Sequence, residues 1–441
     1  MYEIVIGRGN EDLKRLGLTG TIPIGKHYVK MGQTTSLSNK VYLDVNNSHV
    51  VFIAGKRGSG KSYTLGVIAE GIANLPPEVG NNICTVIFDT MGVYWTMKFP
   101  NTKDKELLDE WASKPTGLDV KIYTPVGYFK KYKEKGIPTD YPFSITPFDL
   151  ASSEWCSTFD ITVNSPEGVL IEKTINRLKK EKKNFTIDEI IKAVKADDKF
   201  DDNVKRMVEN QFAKTKEWGL FSKQGTPIKE LSYGGRTIII DLSPYATMAG
   251  TWGIRALVIG LISQKLFLER MTARKKEEDV SVEKSRRFFT EEEKKKIART
   301  TPLIWLMLDE AHEFLPKEGK TAATDSLVTI LREGRQPGVS LVLVTQQPGK
   351  IHTDVMTQAD TVICHRITAK IDVGALGMLM QSYMRKGLDE ELNVLPRVGG
   401  AGIIFDDMNE KMYPIRIAPR TTWHGGSSPQ AVEEVKKEFK L

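Results

Sequence analysis

Residues 51–64 of this chain read VFIAGKRGSGKSYT. An apolar run typical of a buried strand ends in a glycine-rich turn, and apolar residues at helical spacing follow it. Residues 55–62 fit the pattern G-x-x-x-x-G-K-[ST]. Glycines in such a loop let backbone N–H groups point at phosphate oxygens, and the helix N-terminus adds partial positive charge. Because the strand and the helix are both in place, the pattern predicts a phosphate-binding loop rather than a chance glycine turn.

The chemistry of this loop depends on its last residues. We expect Lys61 to reach the β- and γ-phosphates of a nucleotide, and the Ser62 hydroxyl to ligate Mg²⁺. The predicted nucleotide contacts in this segment are Gly55, Lys56, Arg57, Gly58, Ser59, Gly60, Lys61, Ser62 and Tyr63. A phosphate loop alone does not separate a kinase from a GTPase or a motor, so the assignment requires the second half of the chain.

A second buried strand is predicted in TPLIWLMLDEAHEFLP, which begins at Thr301. Its apolar core does not alternate with polar residues, as expected of a central parallel strand, and it ends in Asp309 and Glu310. We expect Asp309 to hold Mg²⁺ and Glu310 to act as general base on water, as in ATP-hydrolysing motors. The alternative is a surface turn that caps a helix. His312 either senses the nucleotide or packs, and a lone histidine favours packing.

A third strand, VSLVLVT, delivers Thr345, Gln346 and Gln347 to the same edge of the sheet. We assign Gln346 the polar sensor position, where an amide can hydrogen-bond the γ-phosphate or the attacking water. Arg332 and Arg335 lie just before this strand. They are either solvated surface residues or, in a ring of subunits, the arginine finger that reaches a neighbouring site.

Several stretches of this chain, in this order, resemble one family of ATPases. They are IAGKRGSGKS, VIFDTMGVYW, LMLDEAHEFL, LREGRQPGVSLVLVTQQP and MYPIRIAPRTTWHGG. Together they are similar to the HerA group of the HerA–FtsK ATPases. The resemblance implies a RecA-like α/β core that uses ATP and Mg²⁺, a hexameric ring, and movement of double-stranded DNA through its pore. It also implies a partnership with a NurA-type nuclease.

The resemblance also implies roles for particular residues. Lys61, Ser62, Asp309 and Glu310 carry the nucleotide chemistry, and Arg332 or Arg335 supplies the finger in trans. In the family, the closing segment lies against the neighbouring subunit near its nucleotide. Arg416, Arg420 and Trp423 are therefore candidates for that contact, although Trp423 is equally suited to anchor the tail.

Two features depart from the family pattern. Members carry a β-barrel before the phosphate loop, whereas only 54 residues precede Gly55 here, so we expect that barrel to be reduced or absent. This weakens the inference of a nuclease partner, because the barrel is the implied docking platform. The family's Asp-Pro-His-Gly-Glu stretch is replaced by FDTMGVYW, which keeps Asp89 and Gly92. Asp89 is then either a nucleotide-site carboxylate or a structural cap.

The chain of 441 residues is expected to be an α/β protein with a mainly parallel sheet, a small N-terminal β-rich segment and a helical insertion. The predicted units are a β-rich segment at 1–45, the first part of the core at 46–150, a helical insertion at 151–235, the second part of the core at 236–425 with a charged insertion at 269–300, and a tail helix at 426–441. The charges of the insertions favour a solvated surface over a contact with DNA.

Composition sets broad limits on location and partners. The formal net charge of +7 permits a nucleic-acid partner without requiring one. No apolar run reaches the length of a membrane span and no secretory signal is visible, so we expect a cytoplasmic protein without membrane contact. The leading function is a ring-forming ATPase that translocates along or unwinds DNA in end processing, repair or transfer. The alternatives are an ATPase scaffold that regulates a nuclease or another effector, and a packaging or conjugation motor.

Overall fold

The computed structural model describes residues 3–31, 34–246, 252–286, 301–367, 370–377 and 395–426. Within these residues one sheet of thirteen strands runs through the protein. The strands are β1 Ile4–Ile6, β2 Thr21–Met31, β3 Thr34–Asp44, β4 Val50–Ala54, β5 Ile83–Asp89, β6 Val120–Pro125, β7 Tyr141–Phe143, β8 Thr237–Asp241, β9 Leu303–Leu308, β10 Val339–Thr345, β11 Thr361–His365, β12 Ala401–Asp406 and β13 Lys411–Ile417.

The α-helices lie between these strands. They are α1 Asn10–Leu16, α2 Lys61–Ala73, α3 Pro77–Gly80, α4 Lys105–Glu110, α5 Val126–Glu134, α6 Ser152–Thr158, α7 Pro166–Glu181, α8 Ile187–Lys195, α9 Asp202–Thr215, α10 Trp252–Arg286, α11 Thr324–Glu333, α12 Thr353–Gln358 and α13 Lys370–Gly377. A short 3-10 helix, Tyr94–Lys98, follows β5. None of the helices in the described part of the chain combines the length and the apolar character that a membrane span requires.

The strand order is β1-β3-β2-β13-β12-β11-β4-β10-β9-β5-β8-β6-β7. All neighbours from β11 to β7 run parallel. In the other half of the sheet the pairs β11–β12, β12–β13, β13–β2 and β2–β3 are antiparallel, and the edge pair β3–β1 is parallel. The prediction of an α/β fold with a mainly parallel sheet is confirmed. Because β4, β9 and β10 are central neighbours, the residues that follow them meet at one edge of the sheet.

Helices cover both faces of this sheet. Residues that alternate along β4 illustrate this: Phe52 belongs to a core shared with α10, and Val51 belongs to a core shared with α2. Both side chains are fully buried. Burial on both faces explains why the central strands read as continuous apolar runs rather than alternating ones.

Residues 151–235 form α6 to α9, whose apolar faces pack around Trp155 in the same core as α10. Helix α7 begins with Ser165 as N-cap, which accepts a hydrogen bond from Gly168 N at 3.2 Å. Helix α8 begins with a capping box between Thr186 and Glu189. The sequence predicted these helix starts because their capping residues are local. The domain boundaries remain predictions.

The structure describes the predicted N-terminal segment, but only part of the predicted charged insertion and none of the predicted tail helix beyond residue 426. Strands β1 to β3 extend the core sheet through β13, with no separate barrel among the described residues. The first part of the predicted charged insertion, 269–286, continues α10 as a helix. Residues 287–300 and the predicted tail helix beyond residue 426 lie outside the described residues.

A buried ionic network lies just before β4. His49 is within hydrogen-bond distance of Asp44 at 3.1 Å and of Asp360 at 3.0 Å, and Arg8 Nε donates to Asp44 Oδ1 at 3.1 Å. Burial alone would lower the pKa of His49, but its hydrogen bonds to Asp360 and Asp44 raise that pKa to about 9. The imidazole is therefore a buried cation at neutral pH, and the network ties the N-terminal strands to the core.

Candidate functional site

The phosphate loop connects β4 to α2 with a backbone that requires glycine. Gly58 and Gly60 have positive φ angles of 75° and 106°, and Gly60 is the N-cap of α2. A Cβ atom on Gly55 would lie 2.5 Å from Ser59 Oγ and 2.7 Å from His365 Cβ. The glycines thus give the loop the curled backbone that a phosphate chain needs.

Lys61 opens α2 and its side chain is almost fully buried. Its ammonium donates to the backbone oxygen of Lys56 at 3.2 Å. Burial lowers the pKa of Lys61, while the carboxylates of Glu310 and Asp309 oppose that shift. The ammonium therefore lies between the loop and the carboxylates that follow β9, where an anionic ligand would restore its charge balance.

The carboxylate of Asp309 links three elements of the site. Ser62 Oγ donates to Asp309 Oδ2 at 2.5 Å, and the hydroxyl of Tyr94 donates to the same oxygen at 3.0 Å. The other oxygen, Oδ1, accepts from the backbone N–H of Glu310 at 2.9 Å. The structure therefore brings together the two residues that the sequence assigned to Mg²⁺, and it adds Tyr94, which the sequence analysis missed.

Glu310 occupies an unusual backbone position. Its φ and ψ angles of 51° and 43° are left-handed, a conformation that non-glycine residues adopt mainly at constrained sites. Burial, together with the charge of Asp309, raises the pKa of Glu310 to about 7. Its Oε2 atom is buried without a hydrogen-bond partner among the described residues. A carboxylate with this pKa and a free oxygen is suited to general-base chemistry near neutral pH.

His312 belongs to this site rather than to the core. Its Nδ1 lies 3.0 Å from Thr345 Oγ1 and 3.5 Å from Glu310 Oε2, and its Nε2 lies 3.3 Å from Gln347 Nε2. Burial lowers the pKa of His312, so the ring is neutral at physiological pH. Gln347 therefore reaches the site through its side chain. Gln346, the predicted sensor, contacts Glu310 through its backbone N–H.

The carboxylate of Asp89 accepts hydrogen bonds from the loop that directly follows it. Its two oxygens accept from the backbone N–H groups of Gly92, Val93 and Tyr94 at 2.7, 3.0 and 2.8 Å. Burial and the charge of Asp241 raise the pKa of Asp89 to about 7. Of the two roles that the sequence left open, these contacts favour the structural cap. Asp89 fixes the turn that presents Tyr94 to Asp309.

The arginine pair lies on the protein surface at the end of α11. The Arg332 side chain is 58% exposed, and its Nε donates to Asp354 Oδ2 at 2.6 Å. Arg335 is also exposed. Within the described residues neither side chain is hydrogen-bonded or ion-paired to the phosphate loop of its own chain. Action on a neighbouring subunit therefore stays a prediction for both.

The closing segment corrects the sequence prediction for Arg420. Its side chain is fully buried, and its Nε donates to Glu70 Oε1 of α2 at 2.8 Å. Glu70 also accepts from the backbone N–H of Thr421 at 2.8 Å. Enclosed in this way, Arg420 anchors the segment to the phosphate-loop helix and is not exposed to a neighbouring nucleotide. Trp423 remains 39% exposed beside this anchor.

A second buried histidine, His365, contacts the helix that follows the phosphate loop. His365 Nε2 lies 2.8 Å from Thr64 Oγ1 of α2, and His365 Nδ1 lies 3.1 Å from the backbone oxygen of Ala401. Burial lowers the pKa of His365 to about 4, so the ring stays neutral. This residue lies about 300 positions from its partner in the chain, and no local pattern could have revealed it.

A cavity of about 530 Å³ opens from the phosphate loop. Its walls include Gly60, Lys61 and Ser62 at the loop, and Arg416 on β13. Two cations, a glycine-rich loop at a helix N-terminus and a hydroxyl next to a carboxylate are the groups that bind a nucleotide with Mg²⁺, because Mg²⁺ prefers few protein oxygens plus phosphates. The described residues hold no cluster of three or more His, Cys, Asp or Glu side chains that could bind a metal ion.

Two family models match this chain. The model described as "Helicase HerA, central domain" matches residues 22–250, and the one described as "Zonular occludens toxin (Zot)" matches residues 261–385. The first covers more than half of the chain.

Curated relatives point the same way. The DNA double-strand break repair helicase HerA of Sulfolobus acidocaldarius is 23% identical over 97% of this chain and 75% of that protein. The probable DNA double-strand break repair helicase HerA of Methanocaldococcus jannaschii is 31% identical over 30% of this chain, and the HerA of Pyrococcus furiosus is 30% identical over 38%. The matched regions span only 26% and 29% of those two proteins.

Among solved structures, VirB4 of Thermoanaerobacter pseudethanolicus is similar in fold. Its TM-score is 0.54 with 13% sequence identity, over 90% of this chain and 96% of that chain. This likeness agrees with the RecA-like core that the resemblance implied. The family follows from the model that matches more than half of the chain: the chain belongs to the HerA helicase central-domain family of P-loop ATPases.

Proposed function

We propose that this protein hydrolyses ATP and uses the energy to move along or unwind double-stranded DNA. One observation carries the proposal. Ser62, Asp309 and Glu310 meet at the start of α2, and Glu310 has a pKa raised to about 7 and a buried oxygen without a hydrogen bond. Such an arrangement serves water activation next to a phosphate chain.

Each residue of the site has a distinct role in this proposal. The loop N–H groups and Lys61 bind the phosphates, and Ser62 with Asp309 would hold Mg²⁺, which neutralises charge on the transferred phosphoryl group. Glu310 accepts the proton of the attacking water. His312 and Gln347, which contact each other, orient the polar wall opposite the loop. Gln346 remains our predicted sensor of the γ-phosphate.

The proposed partners follow from the relatives and from surface charge. Relatives named as DNA double-strand break repair helicases support DNA as the substrate. Exposed Arg332 and Arg335 are in keeping with a ring in which one of them completes a neighbouring site, and a hexamer is the proposed assembly. A NurA-type nuclease partner and the cytoplasmic location remain predictions from the sequence.

The test is the ATPase rate of the purified protein with and without long duplex DNA, at increasing salt. We expect stimulation by DNA that falls as salt rises, because phosphate contacts release counterions. Lys61→Ala should abolish hydrolysis in both conditions, and the exposed Lys320→Ala is the matched control. No response to DNA, together with stimulation by a protein partner, would favour the alternative of an ATPase scaffold for an effector.

Subunit mixing tests the arginine finger. Inactive Arg332→Ala or Arg335→Ala protein, mixed with wild type, should lower the activity of the wild-type subunits if the arginine acts in trans. A rate that falls only in proportion to the wild-type fraction would show that each subunit works alone.

A further inference from the structure

The wall of the cavity beside the phosphate loop also contains residues with a different chemistry. Besides Lys61 and Ser62 of the loop, it contains Leu107 and Trp111 from the α4 region and Pro419, which we call the α4 wall. Trp111 is half-buried at the end of α4, and Pro419 belongs to the closing segment. A nucleotide is divided in the same way, since its phosphates are charged and its base is flat and largely apolar.

The α4 wall also contains a carboxylate. Asp104 is the one acidic side chain on the cavity wall within the described part of the chain, where Lys61 and Arg416 are also found. Unlike Asp309, Asp104 is not paired with a proposed Mg²⁺ ligand, and without a cation its carboxylate would repel phosphates. Its presence therefore favours a ligand group that donates hydrogen bonds. The base of a nucleotide offers such donors, and its phosphates do not.

Asp104 is held in a fixed position. Asn101 Nδ2 donates to Asp104 Oδ2 at 3.0 Å, and the backbone N–H of Asp104 donates to Asn101 Oδ1 at 3.2 Å. The same Asn101 side chain donates to the backbone oxygen of Arg420 at 2.9 Å. The carboxylate and the closing segment are thus parts of one wall, and Asp104 Oδ1 keeps its acceptor capacity.

The neighbouring rings complete an apolar slot. His424 lines the cavity, and burial, together with the charge of Arg420, lowers the pKa of His424 to about 4. It is therefore a neutral ring at physiological pH, packed edge to face against Tyr63 with 5.2 Å between ring centroids. The ammonium of Lys26 lies 4.5 Å from the ring centroid of Trp111 and fixes that side chain.

We propose that the α4 wall of the cavity is an adenine-recognition site, in which the base stacks on Trp111 and its exocyclic amino group donates to Asp104. The inference rests on the proposed function and makes it more specific, because it states how this chain selects ATP among nucleotides. An inosine base carries a carbonyl oxygen where adenine carries the amino group. That oxygen would face the Asp104 carboxylate without a proton between them.

Binding of nucleoside diphosphates tests the proposal without hydrolysis. With Mg²⁺ present, isothermal titration calorimetry would compare ADP, inosine diphosphate, 2′-deoxyadenosine diphosphate and inorganic pyrophosphate. We expect ADP to bind about tenfold or more tightly than inosine diphosphate, because the latter leaves a polar group unpaired. Asp104→Ala should bring that ratio close to one, whereas Asp109→Asn, an exposed position on the same helix, should leave it unchanged.

Trp111 variants test the stacking half of the proposal. Trp111→Ala should weaken the binding of ADP by about tenfold, since stacking of a base on an aromatic ring contributes binding energy of this order. Pyrophosphate affinity should not change, and Trp111→Phe should restore most of the ADP affinity. These comparisons remain interpretable if a variant is less stable, because pyrophosphate reports on the folded phosphate loop.

The possible results separate this inference from the proposed function. If ADP and pyrophosphate both fail to bind, the phosphate-loop assignment itself is wrong. If ADP and inosine diphosphate bind wild type equally, or if Trp111→Ala leaves ADP unchanged while Lys61→Ala abolishes binding, only the base site is wrong. If wild type bound 2′-deoxyadenosine diphosphate more weakly than ADP, and if Asp104→Ala abolished that difference, this pair of results would place Asp104 on the ribose and overturn the proposal.

Discussion

Strand β4 has charged groups at both of its ends, and the two groups are arranged in opposite ways. Before the strand, His49 makes ion pairs with Asp44 and Asp360, and Arg8 completes the network. Beyond its other end, Asp309 and Glu310 lie side by side in a partly buried site, and an oxygen of Glu310 has no hydrogen bond among the described residues.

The charges before β4 stabilise the fold, whereas the charges near the phosphate loop are arranged for chemistry. Opposite charges that meet in the interior hold their charged forms, so the pKa of His49 rises and that of Asp44 falls. Near the phosphate loop, burial and the like charge of Asp309 raise the pKa of Glu310 to about 7 and reduce the stability of the folded chain. A ligand with opposite charge offsets that cost, which is why such a site is poised to bind Mg²⁺ and phosphate.

Neutralising the site should give the largest effect. Glu310→Gln is expected to lower ATP hydrolysis by about 10²–10⁴-fold, because the general base is lost, while bound ATP is retained. The same change should raise the free energy of unfolding by roughly 1–3 kcal/mol above pH 7, since a buried carboxylate with a raised pKa disappears. Steady-state rates and urea denaturation measure the two effects. Exposed Glu318→Gln should change neither, and normal turnover by Glu310→Gln would refute the assignment of the base.

Neutralising a residue of the ionic network around His49 should lower the free energy of unfolding rather than raise it. Asp44→Asn leaves buried cations with one partner fewer, so we expect a loss of about 3–5 kcal/mol in the free energy of unfolding. Urea denaturation followed by circular dichroism measures it. The control is Asp12→Asn, which breaks an exposed ion pair with Arg15 and should change stability by less than about 1 kcal/mol. Equal effects of both variants would contradict the comparison.

The two ends should also respond differently to pH. The pKa of His49 rises from 6.5 to about 9 on folding, so its stabilisation is complete below pH 6.5 and is lost as pH rises through 9. That loss is on the order of 3 kcal/mol. Hydrolysis should instead increase as pH rises through about 7, because Glu310 must lose its proton to act as a base. His49→Gln should flatten the stability profile between pH 6.5 and 9 while leaving the pH dependence of hydrolysis in place.

The smallest predicted effect concerns Tyr94, a positioning residue. Tyr94→Phe removes the hydroxyl that donates to Asp309 at 3.0 Å. One such hydrogen bond contributes about 1 kcal/mol, so we expect roughly a fivefold increase in the Mg²⁺ concentration needed for half-maximal hydrolysis. Tyr42→Phe, whose exposed hydroxyl contacts Glu3, is the control. An unchanged Mg²⁺ requirement would show that Tyr94 only packs.

Local sequence was sufficient for the phosphate loop, for the pair of carboxylates after β9, and for the mainly parallel sheet. The loop and the carboxylates are patterns of adjacent residues, and the parallel sheet was predicted from the continuous apolar runs of its single strands. The role of Arg420 was predicted wrongly because its partner, Glu70, lies 350 positions away. The contact between His312 and Gln347 also depends on the order of β9 and β10 in the sheet, which no periodicity reveals.

The cavity beside the phosphate loop is lined by segments far apart in the chain, since its wall includes residues from Gly58 to Tyr63 and from Gly399 to Gly426. A ribosome makes the loop before it makes the second of these segments. During synthesis the loop therefore stays exposed until β13 and the segment around Arg420 have been made and have packed against it. Only a chain synthesised past Gly426 has every residue of the cavity wall, so tight nucleotide binding would report that translation has passed that residue.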